Sequence, residues 1–138
     1  MKTPHYQLIR KGKWGRLLAT HIYFTTIKGY SAFIDDVKIK CRLFDNGMLE
    51  VYADTEWDFA SGPTVNTPAM VTASLAHDMF CHFTDRGLLP WEVRHKADKY
   101  FGSLLKEAGA KWSRLWRVPA VVMYSQTIAR LKRTKYED

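Results

Sequence analysis

The segment SLAHDMFCHF, residues 74–83, sets a histidine and an aspartate side by side, His77 and Asp78, in an otherwise apolar run. Histidine is the side chain best placed to take and return a proton near neutral pH, once a partner fixes which ring nitrogen carries the hydrogen. Asp98 is the candidate partner. The midpoint of His77 and Asp98 falls between Gly87 and Leu88, inside the turn-like TDRGLLP. In two antiparallel helices joined by a short connection, residues equally far from the turn share a level. His77 then faces Asp98, and a carboxylate accepting from one imidazole nitrogen leaves the other as a base toward water. Asp78 follows about 100° around the helix and points beside the pair, toward the loop that leads into the helix. That loop, EWDFASGPT, contains Asp58 and an irregular Ser61, Gly62, Pro63 stretch. A hard cation such as calcium takes oxygen ligands from carboxylates and backbone carbonyls. Asp58 and Asp78 are therefore candidate metal ligands, and the expected site is a histidine base beside a calcium-held electrophilic centre.

The elements that must position these groups follow from the hydrophobic pattern. YQLI, RLLATHIYFTTI, VKIKCRLFD and MLEVYAD are rich in β-branched and aromatic residues, with DNG at Asp45 to Gly47 as a tight hairpin between the last two. An antiparallel sheet is expected over residues 5 to 60. After DFASGPTVNTP the period changes. Thr67 and Pro68 form an N-cap and first-turn pair, and AMVTASLAHDMFCHF carries apolar residues at helical spacing, predicting a helix over about 67 to 84. Pro90 and Glu92 open a second helix that Gly109 closes. A basic third helix is expected over about 112 to 134, with Pro119 starting or kinking it. Strands followed by helices make an α+β fold, and no repeat, low-complexity tract or linker divides residues 1–138, so a single domain is expected.

Composition bounds the function. The 138 residues are 46% hydrophobic and 25% charged, which predicts a folded globular chain. No apolar run approaches the roughly 20 residues that span a bilayer, and the first residues lack the apolar core and cleavage site of a secretory signal. Synthesis and first use in a cytoplasm are expected. Cys41 and Cys81 have no short metal-ligand spacing and are too few for a disulfide scaffold, so both are read as buried small hydrophobes. The net charge of +7 favours anionic partners without choosing among them.

Several spaced elements, DFASGP, then HD on an apolar helical half, then Arg94, Ala97, Asp98 and Phe101 as R...AD..F, resemble an uncharacterised domain family of tailed phages and prophages over roughly residues 40 to 125. More distantly they are similar to the bacterial and fungal branch of the phospholipases A-two. That resemblance implies His77 as the base that activates water, Asp78 as a calcium ligand with loop oxygens, Asp98 as the group orienting the histidine and Asp58 as a further ligand. The chain departs from those lipases in its long strand region and in lacking disulfides that brace the site.

Plainer readings stand beside these. The His77 and Asp98 pair is also what a buried polar clasp between two helices would need, since buried polar groups require partners whatever their role. Arg94, four residues before Asp98, is able to pair with it along a solvated helix face. His82 and His95 read as surface or hairpin-lining residues, and His5 and His21 match no metal-ligand spacing. An HD-type phosphohydrolase needs more His and Asp ligands on several helices than this chain supplies. Trp112 and Trp116 among Arg114, Arg117, Arg130, Lys132 and Arg133 suit either an anionic lipid surface or a core helix with a solvated basic end. Arg10, Lys11, Lys13 and Arg16 around Trp14 form a positive hairpin tip, and no nucleic-acid recognition motif is present. Two functional expectations follow. One is a phage-encoded, calcium-assisted ester or lipid hydrolase at the host envelope. The other is a non-enzymatic virion or assembly component whose partners are other virion proteins and whose His/Asp cluster is structural.

Overall fold

A computed structural model describes residues 2–12, 14–58 and 68–107. Seven short strands come first: β1 (Tyr6–Ile9), β2 (Trp14–Leu17), β3 (His21–Phe24), β4 (Ala32–Asp35), β5 (Lys40–Leu43), β6 (Met48–Val51) and β7 (Glu56–Asp58). Two helices follow, α1 (Pro68–Asp85) and α2 (Glu92–Glu107). The architecture is the expected α+β. The expected basic third helix, and the Thr67 cap, lie outside the described residues.

The antiparallel strands divide between two sheets, one in the order β1-β2-β7 and one in the order β3-β6-β5-β4. The split arises because β7 returns to pair with β2, Trp14 opposite Asp58 and Arg16 opposite Glu56, a pairing distant in sequence. In the larger sheet the alternation holds. His21, Tyr23, Ile34, Cys41, Leu43, Leu49 and Val51 are buried, while Arg42 and Glu50 meet as an opposite-charge cross-strand pair on the outer face. The DNG turn joins β5 to β6. Gly47 has φ 93°, and a Cβ there would meet the carbonyl oxygen of Thr25 at 2.5 Å; only glycine suits both demands.

Helix α1 packs on one side against α2 and on the other against β4 and β7. Its strand-facing side is pinned by polar contacts at separate levels. The Tyr23 hydroxyl donates to the Thr72 carbonyl at 2.6 Å, and Trp57 Nε1 donates to Ser74 Oγ at 3.3 Å. Near the end of the helix Arg86 pairs with Asp36 at 2.6 Å. With a neighbour on both sides α1 is apolar almost all round, and Met70, Val71, Ala73, Leu75, Ala76, Met79, Phe80 and Phe83 are buried. It ends in a left-handed glycine cap: Gly87 has φ 72°, Gly87 N donates to Thr84 O at 3.1 Å and Leu88 N to Phe83 O at 2.9 Å. This stop and the first turn of α2 make the connection short enough to hold the helices antiparallel.

Candidate active site

The helical hairpin brings His77 and Asp98 together. His77 Nε2 lies 2.6 Å from Asp98 Oδ1, and their side chains are 12% and 1% exposed. A carboxylate can only accept here, so Nε2 carries the hydrogen and donates. The ring packs edge-on to Phe101, with centroids 5.3 Å apart and planes at 61°. One turn above, Cys81 Sγ stands 3.4 Å from His77 Nδ1. The second ring nitrogen, expected to face water, therefore meets a thiol. Depending on where the proton sits, that contact is S–H donating to Nδ1 or Nδ1–H donating to sulfur.

Burial by itself would lower the His77 pKa. Electrostatic interaction and hydrogen bonding with Cys81, together with the hydrogen bond to Asp98 and its charge, outweigh it and lift the value to about 10. The imidazolium is thus held between two acceptors. The other cysteine is in a different state: Cys41 is buried in β5, and desolvation pushes its thiol up to about 12. The expectation of two buried small hydrophobes holds for Cys41. It fails for Cys81, which is only partly buried and bonded to the histidine.

Arg94 is not on a solvated face. It is 0% exposed, and its Nη1 donates toward Cys81 O at 3.0 Å, Thr84 Oγ1 at 2.8 Å and Asp85 Oδ1 at 2.8 Å. Its guanidinium also lies 5.4 Å from the centroid of the Trp91 ring. A cation at the C-terminal turn of α1 meets the carbonyl end of the helix dipole. It ties that turn to α2 a short way from the histidine.

Asp78 points away from the dyad, as its position one residue further round the helix requires. Its Oδ2 lies 3.5 Å from His82 Nε2, and its charge contributes, after burial, to the raised pKa of Cys41. His82 is partly exposed and His95 exposed, in keeping with surface and hairpin-lining roles. His21 is buried, edge-on to Tyr23 at 4.8 Å. Asp58 is the last residue of β7. The loop from 59 to 67, which was to supply carbonyls from Ser61, Gly62 and Pro63, lies outside the described residues. Among the described residues no group of three or more His, Cys, Asp or Glu side chains comes together to hold a metal ion.

A cavity of about 400 Å³ lies on the strand side of α1, lined by residues that include Trp14, Asp36, Glu56, His82 and Arg86. Neither His77 nor Asp98 lines it. The same holds for a cavity of about 280 Å³ beside His5 and His21.

The spacing rule at the turn finds His77 and Asp98; it misses Cys81 and the burial of Arg94. Both carried a signal. Cys81 is four residues after His77, the separation that stacks side chains on one helix face. Arg94 falls at helical spacing with Ala97, Asp98 and Phe101, the face that packs on α1. No helix among the described residues is long and apolar enough to cross a membrane. No family model, no curated protein and no solved structure matches the chain.

Proposed function

We propose that this protein is an ester hydrolase in which His77 is the base and Asp98 orients it. The observation that carries the reading is the 2.6 Å bond from Nε2 to a carboxylate that is 1% exposed. It fixes the tautomer and leaves Nδ1 to exchange protons at a position where Cys81 is partly exposed. The resemblance to phage domains and to phospholipases A-two supports an ester or lipid substrate, a tailed-phage setting and action at the host envelope. It also supports calcium at Asp78.

The test is turnover of ester and phospholipid substrates by His77→Asn, which keeps the ring's approximate size and removes its basicity. A loss of about 100-fold or more is expected for a general base, with the melting transition retained. Undiminished turnover in that variant rules the assignment out. Calorimetric titration of calcium into the wild type and Asp78→Asn tests the cation separately, since binding lost in the variant places it at Asp78.

One observation favours the non-enzymatic virion or assembly reading. Phe101, whose ring meets His77, is buried, as are Met79, Phe80 and Leu104 of the same two helices, as around a polar clasp. On that reading Asp98→Ala lowers stability and there is no turnover to lose.

A further inference from the structure

We propose that Cys81 is a nucleophile served by His77, so that Cys81, His77 and Asp98 form a triad that transfers acyl groups from esters through a thioester on Cys81. The inference rests on reading the His77 and Asp98 pair as a catalytic dyad, and it names the atom that attacks.

Three observations carry it. The sulfur stands 3.4 Å from Nδ1, while Nε2 is committed to Asp98 at 2.6 Å. That is the nucleophile, base and orienting-group order of a triad, recognised by geometry and role and not by chain position. His77 and Cys81 sit one turn apart on a helix pinned to the strands at Tyr23 and Trp57, so their separation is set by rigid backbone. Cys81 is also the partly exposed cysteine, whereas Cys41 is buried. A water-activating histidine would present Nδ1 to solvent; here sulfur already occupies that direction.

The step balances without a cofactor. Sulfur, its proton already held on Nδ1 of the imidazolium, adds to the ester carbonyl. The C–O bond to the leaving alcohol then breaks, and the imidazolium returns the proton to the departing oxygen, leaving an acyl thioester. Water adds to the thioester carbonyl while Nδ1 takes its proton. The C–S bond breaks, the acid leaves, and the proton stays on Nδ1 beside the sulfur, restoring the starting pair. Asp98 accepts from Nε2 throughout and stabilises each imidazolium. The charged groups that meet the pair and its turn of helix are Asp98 and Arg94 from α2 and, through Arg94, Asp85 on α1.

The experiment uses p-nitrophenyl acetate on the full chain, with acid quench and peptide mass spectrometry. Acetyl is expected on the peptide carrying Cys81 and not on that carrying Cys41. Acetylation should slow about 100-fold or more in His77→Asn, and should be absent from the same peptide in Cys81→Ala, which removes the nucleophile and retains a cooperative melting transition. An unacetylated Cys81 in the wild type, or an equal rate in His77→Asn, overturns the proposal. Turnover that survives Cys81→Ala but not His77→Asn overturns the role of Cys81 and leaves the dyad standing. Turnover that survives both substitutions overturns the dyad as well.

Discussion

Replacing Asp98 by asparagine keeps the shape of the side chain and removes the charge that faces His77. The His77 pKa stands at about 10 against an ordinary 6.5. At about 1.4 kcal/mol per unit this is a ceiling of about 5 kcal/mol of stability linked to His77 protonation. Burial opposes the shift and Cys81 supplies part of the lift, so Asp98 accounts for a fraction of it. Breaking one side of a buried pair costs about 3–5 kcal/mol, and the lower end, about 3 kcal/mol, is expected here. The direction with pH follows from the raised value. The contribution is fully present below 6.5, where His77 is protonated in folded and unfolded chains alike, and is lost as pH rises through about 10. The stability gap between wild type and Asp98→Asn should be widest near about pH 6 and narrow toward about pH 10. Urea unfolding at both pH values measures it, provided the slope with denaturant is unchanged. A gap under about 1 kcal/mol at the lower pH, or one that fails to narrow, refutes the pairing of an imidazolium with Asp98.

Other substitutions separate buried from exposed polar contacts. Arg94→Ala leaves Asp85 and the Cys81 carbonyl without their buried cation and should cost about 3–5 kcal/mol, read as a fall in the urea midpoint. Arg86→Ala breaks its pair with Asp36, whose side chains are 31% and 39% exposed, and should cost under about 1 kcal/mol by the same assay. Gly47→Ala meets both a left-handed backbone and the Thr25 carbonyl; a loss of at least about 1–3 kcal/mol is expected from the backbone conformation alone, visible as a lower melting temperature.

The parts of this fold legible in the sequence are those set by local chemistry. Pro68 at the first position of α1, Gly87 just past its end and Asp45 to Gly47 between β5 and β6 all stand where helix starts, helix stops and hairpins select those residues. The facing of His77 and Asp98 followed because a short connection forces antiparallel packing, which turns sequence distance from the turn into height along the helices. The division into two sheets was not legible. It depends on β7 finding β2, and no periodicity within either strand records that choice. The charge of Arg94 suggests solvent, while its position on the α1-facing side of α2 decides its burial. Cys81 was misread because a cysteine beside Phe80 and Phe83 resembles packing. Only the phase of the helix shows that it shares a face with His77.

The glycine cap at Gly87 and the three oxygens gathered by Arg94 act within a few residues of each other, so the turn end of the hairpin is anchored from both helices. This makes the chain unequally tolerant of length change. A residue inserted between Leu89 and Pro90 lies outside both anchors and lengthens only the connection. A residue inserted between Arg94 and Asp98 leaves the anchors in place and turns Asp98 about 100° around α2, away from His77. The hairpin therefore tolerates insertion in its loop and forbids it over a few residues of the second helix, where its two ends are held to a common phase.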